Sequence, residues 1–120
     1  MKVIIAGSRT FDNYHLFKTI MEEKIKSLPI TEVISGMATG PDLMAVNLAN
    51  VHCIPVQEFP ADWDNYGVAA GYIRNVEMAE SADYLIAFWD GKSKGTKHMI
   101  DTMKKQNKHS EVIMIWVENV

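Results

Sequence analysis

Tyr84-Leu85-Ile86-Ala87-Phe88-Trp89-Asp90-Gly91-Lys92-Ser93-Lys94-Gly95-Thr96 joins an unbroken apolar run to a Gly/Ser/Thr-rich turn, and a helix-like segment begins near Lys97. A buried strand, a turn that lets the backbone come close, and the unpaired N–H groups of a helix start together suit an anion such as phosphate. The same punctuation occurs twice more. Gly7-Ser8-Arg9 follows the first apolar run, and Ser35-Gly36-Met37-Ala38-Thr39-Gly40 follows the second. Three such turns carry more weight than one.

Composition sets the outer limits. At 120 residues the chain is expected to form one domain, 1–120, with room for a single core. A hydrophobic content of 48% with 22% charged residues is that of an ordinary globular protein. The net charge of −3 argues against broad nucleic-acid binding but leaves room for a local basic pocket. One cysteine, Cys53, excludes an internal disulfide. It is expected as a small apolar residue near a strand, with a reactive thiol the lesser alternative. No apolar stretch is long enough to span a membrane, and the N-terminus runs straight into a strand, so a cytoplasmic protein with no membrane association is expected.

Apolar periodicity alternates between strand and helix. Strands are predicted over residues 2–6, 32–35, 54–59, 83–89 and 111–117. Helices are predicted over about 12–28, 41–51, 68–81 and 96–107, with a loop at 61–67. Phe17, Ile20, Met21, Lys24, Ile25 and Leu28 recur at helical spacing; Asp12 suits the N-cap and Pro29 the stop. Pro41 suits a first helical position. This series predicts an α/β fold, a Rossmann-like three-layer sandwich around a parallel five-stranded sheet. Right-handed crossovers favour the order 3-2-1-4-5. Strands one and four are then neighbours where the winding reverses, and the Gly7-Ser8-Arg9 and 90–96 loops flank one crevice.

Four ordered motifs now stand out: Ala6-Gly7-Ser8-Arg9; Ser35-Gly36-x-Ala38-x-Gly40-x-Asp42; Ala61-Asp62-Trp63-Asp64 with Ala70-Gly71-x-Ile73-Arg74-Asn75; and Phe88-Trp89-Asp90-Gly91-x-Ser93-x-Gly95-Thr96. Together they resemble the YspA-type, cpYpsA-related branch of the SLOG superfamily, over residues 3 to about 101. That superfamily also holds the DprA/Smf proteins and the LOG phosphoribohydrolases, so the resemblance implies enzymes, nucleotide sensors and DNA binders alike. The second motif departs from its relatives, with Met37, Thr39 and Pro41 in place of Gly, a basic residue and Ala. The enzymatic LOG motif Gly-Gly-x-Gly-Thr-x-x-Glu places its glutamate where this chain has Met99. Asp101 lies about 200° further round the helix. Arg74 matches the LOG catalytic arginine by motif position. Half of the hydrolytic pair is missing.

Each motif also has a plain structural reading. Gly7-Ser8-Arg9 alone is a tight turn with a surface arginine, and Gly40-Pro41 alone is helix-start chemistry. Asp42 either complements a helix dipole or, in the family context, accepts from a ribose hydroxyl. Asp90 either caps its own loop or touches ligand. Arg74 either pairs with Glu77 on the surface, worth a few tenths of a kcal/mol, or grips phosphate or carboxylate with its guanidinium fork. Trp63 and Trp89 suit the core or a subunit contact before base stacking. His15, His52, His98 and His109 lack metal-ligand spacing; Asp62 and Asp64 fit a solvated loop before Mg²⁺. Lys92, Lys94 and Lys97 either add positive potential or form an ordinary rim.

The leading expectation is a module that senses, carries or sequesters a nucleotide or nucleotide-derived phosphorylated small molecule. Its ligand-binding residues are Gly7, Ser8, Arg9, Gly36, Gly40, Asp42, Arg74, Asn75, Asp90, Gly91, Ser93, Gly95 and Thr96. One helix N-terminus contributes roughly 0.3–1 kcal/mol to an anion, and micromolar affinity requires about 8 kcal/mol, so several turns must converge. The alternative is a hydrolase cleaving an N-glycosidic bond of a nucleoside monophosphate or an NAD-related molecule. Arg74 is then catalytic, with Asp42, Glu77 or Asp90 as a substitute carboxylate. Neither a metal site nor a resident cofactor is expected. Three tryptophans and eight methionines favour a homo-oligomer, most simply a dimer, with Trp63 and Met78 nearest the contact.

Overall fold

The computed structural model of the chain describes residues 1–115. Strands β1 (Lys2–Gly7), β2 (Glu32–Ser35), β3 (Val56–Glu58), β4 (Tyr84–Trp89) and β5 (His109–Met114) form one parallel sheet in the order β3-β2-β1-β4-β5. Val3 pairs with Val33 on one side and Tyr84 on the other, so β1 and β4 are direct neighbours. Both faces of the central strands are buried, and the side chains part by alternation. Val3, Ile5, Ile86 and Phe88 join the core under α1 (Tyr14–Ser27) and α2 (Pro41–Val51), where Phe17, Met21 and Leu48 meet them. Ile4, Ala6, Leu85 and Ala87 join the opposite core under α4 (Ala70–Ser81) and α5 (Lys94–Lys105), against Met78, Met99 and Met103. Each large side chain fully buried in this way contributes about 1.5–3 kcal/mol. The expected three-layer α/β sandwich with order 3-2-1-4-5 is the fold that the chain adopts.

Several boundaries differ from expectation, each for a local reason. Asn13 rather than Asp12 caps α1, because its Oδ1 lies 3.0 Å from the Leu16 N–H, the reach from N-cap to N3. Strand β3 is shorter than 54–59 and pairs only through residues 56–58. Cys53 is exposed in a left-handed turn (φ 56°) closing α2, not an apolar residue beside a strand. The stretch 61–67 is not a plain loop. It holds a short helix, α3 (Trp63–Tyr66), capped by Asp62 and followed by a 3-10 turn (Gly67–Ala69) that leads into α4. Helix α5 begins at Lys94, placing Gly95 and Thr96 inside its first turn. Strand β5 starts two residues early, and the expected positions Trp116 and Val117 lie outside the described residues. Among the described residues no helix is long and apolar enough to cross a membrane.

Candidate functional site

At the C-terminal end of β1 the backbone leaves the sheet between β4 and α2 with almost no clearance. A Cβ on Gly7 would lie 2.5 Å from the Phe88 carbonyl oxygen and 2.7 Å from Pro41 Cγ, so only glycine fits. The Ser8 N–H donates to the Phe88 carbonyl at 2.9 Å, and the Asp90 N–H donates to Ser8 Oγ at 3.1 Å. Ser8 is buried and stitches the β1 and β4 loops together.

Asp90 then organises the start of α5. Its Oδ1 accepts the N–H groups of Lys92 and Ser93, each at 2.8 Å. Those two bonds hold its carboxyl below the usual carboxylate range. Of its two readings, the geometry gives the loop cap. Ser93 occupies the N-cap of α5 without a side-chain capping bond, which leaves the first-turn N–H groups to face outward. Gly95 stands in that turn, and a Cβ there would meet nothing within 4 Å, so the approach is open.

Arg74 reaches the crevice from α4. Its Nη1 donates to the Gly36 carbonyl at 2.5 Å and its Nε donates to Asn75 Oδ1 at 3.2 Å. Asn75 in turn donates through Nδ2 to the Gly95 carbonyl at 3.3 Å and lies 3.1 Å from His98 Nδ1. One pair of adjacent residues on α4 therefore touches the β2 loop and the α5 start at once. The alternative reading of Arg74, a surface pair with Glu77, does not form; Glu77 is exposed and lines neither cavity. Burial lowers the Arg74 pKa, with Asp42 opposing that shift and Arg9 adding to it.

Asp42, in the first turn of α2, is 5% exposed. Its Oδ2 accepts from the Ala38 N–H at 3.4 Å. Burial pushes its carboxyl up to about 6, against the pull of the Arg74 charge, the Ala38 and Gly7 N–H groups and Arg9. Gly36 separates the two charged groups. A Cβ there would sit 2.8 Å from Arg74 Nη1 and 2.9 Å from Asp42 Oδ2. Next to it, Met37 occupies the left-handed region (φ 64°), where a glycine would be free of the cost of about 1–2 kcal/mol.

These groups line a cavity of about 460 Å³ at the junction of β1 and β4. Gly7, Ser8, Arg9, Asp42, Arg74, Asn75, Asp90, Ser93, Gly95 and Thr96 all border it. Gly36 borders a second cavity of about 390 Å³, which shares Arg9, Ala38 and Arg74 with the first. Two expected residues stand apart. Gly40 is the left-handed N-cap of α2, packed against the Ser8 carbonyl, and Gly91 turns the exposed β4 loop near Met114. Met78, expected at a subunit contact, is buried and forms cavity floor with Met99 and Ala6. Its place four residues after Arg74 puts both on one helix face, a signal present in the sequence. Thr10 also lines the first cavity, and His98 supports Asn75 from behind; neither position carries a pattern that marks it. Trp89 donates its indole N–H to the Ser93 carbonyl at 3.0 Å, whereas Trp63 is 51% exposed and borders the second cavity. Asp62 accepts from Asn65 through both carboxylate oxygens, which accounts for it as a cap.

Residues 1–66 match the family described as YspA, cpYpsA-related SLOG family. The chain is 32% identical over 111 residues to the Gene 61 protein of Mycobacterium phage D29, covering 87% of this chain and 89% of that protein. No solved structure matches the chain.

Proposed function

The chain belongs to the YspA, cpYpsA-related SLOG family, and from that premise we propose that its crevice binds a nucleotide or nucleotide-derived phosphorylated ligand. Family membership points to a nucleotide-related binding role; the phosphorylated ligand and its placement are our reading. The observation that carries it is the convergence on one cavity of the α5 N-terminus, the Ser8-Arg9 turn and Arg74. Each is an anion donor of modest strength alone, and together they approach the roughly 8 kcal/mol of micromolar binding. Asp42 borders the same space and suits a ribose hydroxyl. Calorimetry against mononucleotides and dinucleotides tests the reading. We expect binding to at least one phosphorylated member, and a folded sample that binds none overturns it.

A second reading is favoured by one observation. Asp42, with its carboxyl raised to about 6, and Arg74 flank Gly36 at the edge of the cavity. A carboxyl of that pKa is suited to exchanging a proton near neutrality, as cleavage of an N-glycosidic bond requires. Against it, the floor position where related hydrolases carry glutamate is the buried Met99. Chromatography of nucleoside monophosphates after incubation distinguishes the two. We expect no released base; turnover lost in both Arg74→Ala and Asp42→Asn makes the protein an enzyme. The binding reading extends to a homodimer.

A further inference from the structure

The two cavities differ in chemistry and meet at the same two cations. The first has acidic side chains at its wall, Asp42 and Asp90. Among the described residues no acidic side chain lines the second, where Met37, Pro60, Ala61 and Trp63 form an apolar, partly aromatic side beside Thr39 and the two arginines. Arg9 and Arg74 border both. Arg74 uses Nε and Nη1 on Asn75 and Gly36, while its Nη2 has no hydrogen-bond partner among the described residues. Trp63 is 51% exposed, an unusual state for a large ring standing beside a cavity. It lies against α4 at Gly71, where a Cβ would be 3.5 Å from Trp63 Cη2 and 3.8 Å from Arg74 Nη2. The indole and the guanidinium thus share one small-residue shelf.

We propose that the two cavities are halves of one site for a two-lobed ligand, two nucleosides joined by a phosphate-containing bridge. The inference rests on the nucleotide-binding reading and goes beyond it by naming the shape of the ligand. One nucleoside enters the first cavity, where Asp42 faces its sugar hydroxyls. The bridge lies between Arg9 and Arg74. The second base lies on Trp63, because every base offers a π-face to an exposed indole; apart from Arg9 and Arg74, which take the bridge, Thr39 is the one polar side chain among the described residues of that wall. Each cavity alone is within the ordinary size of a small-molecule pocket, roughly 300–1,000 Å³. A mononucleotide fills only one of them.

The test compares AMP, ADP, ADP-ribose and diadenosine diphosphate by calorimetry on the wild-type chain and on Trp63→Ala and Trp63→Phe. Diadenosine diphosphate is expected to bind about tenfold or more tightly than ADP, the increment of one stacked base. Trp63→Ala should remove that gain, so that diadenosine diphosphate and ADP bind this variant alike, whereas Trp63→Phe should keep part of it. ADP-ribose, which carries a sugar but no second base, should fall near ADP. Equal affinities for ADP and diadenosine diphosphate overturn the two-lobed site while leaving the nucleotide reading intact. A gain that survives in Trp63→Ala overturns the stacking assignment. Failure of all four probes to bind folded protein sinks the nucleotide reading itself.

Discussion

Asn75 accepts the Arg74 Nε–H at 3.2 Å and, through its amide nitrogen, holds the Gly95 carbonyl at 3.3 Å. It therefore fixes the arginine relative to the first turn of α5. His98 completes the arrangement: its Nδ1 faces the Asn75 donor and so must be unprotonated, and burial keeps the ring pKa below its ordinary value. Asn75→Ala should leave the fold intact, lower nucleotide affinity by roughly five- to tenfold, and cost about 1–3 kcal/mol of stability, because it leaves buried hydrogen-bond partners unpaired. Calorimetry and urea unfolding on the same preparation check this. Unchanged affinity would show that Arg74 holds its position without Asn75.

Arg74→Lys retains charge and loses the fork. The ammonium cannot reach the Gly36 carbonyl and an anion with the same planar geometry. Affinity is expected to fall about 10–100-fold, the range of a charge-assisted hydrogen bond of roughly 1.5–3 kcal/mol. Binding equal to wild type would remove Arg74 from the ligand.

Much of this was readable in the chain, and what was hidden has physical causes. The unbroken apolar runs around Ile4 and Ile86 announce strands buried on both faces, and crossover handedness favours the order that the sheet adopts. Arg74 stands out by its motif, but its partner, the Gly36 carbonyl, is a backbone atom 38 residues away that no side-chain pattern marks. Glu77, near in sequence, faces solvent instead. Helix α3 escapes a periodicity reading because four residues cannot show a period, and its start depends on the Asp62 cap. The start of α5 depends on the Asp90 carboxylate taking two loop N–H groups, a contact that glycine and serine spacing does not reveal.

Gly36→Ala tests the close approach between Arg74 and Asp42. The added methyl would press on two side-chain ends rather than on backbone, so the guanidinium can yield. Stability should fall by about 1–3 kcal/mol, the usual range for overpacking, while nucleotide affinity drops more than tenfold as Arg74 is displaced. A variant that binds normally would mean that the arginine reaches the ligand from another rotamer.

Asp42 makes stability depend on pH with a definite sign. Its folded pKa of about 6 exceeds the unfolded value of 3.8, so the fold prefers the protonated form. The contribution is fully present below about pH 4 and is lost as pH rises through 6. A rise of about two units corresponds to on the order of 3 kcal/mol. Asp42→Asn mimics the protonated carboxyl and removes this dependence. The variant should gain on wild type between pH 4 and pH 7 and keep a constant lead above that, measured by urea midpoints across the range. Parallel profiles for the two proteins would show that the carboxyl ionises freely in the fold.

The outer face of the α3–α4 segment bears on assembly. Tyr66 is 55% exposed, Val68 92%, Tyr72 44% and Val76 38%. Tyr72 and Val76 stand one turn apart on α4, Tyr72 with its ring edge-on to His98 at 4.6 Å, and with Val68 on the preceding 3-10 turn they make an exposed apolar stripe. Contiguous apolar patches larger than a few hundred Å² are uncommon on monomers and mark interaction sites. A two-fold pairing of this stripe with its copy would cover it. Val68→Asp should turn a dimer mass into a monomer mass in light scattering coupled to size exclusion, at tens of micromolar protein, with little loss of stability because Val68 touches no core. A wild-type monomer under the same conditions, still able to bind nucleotide, would show that the stripe does not pair with its copy and that the pocket is complete in one chain.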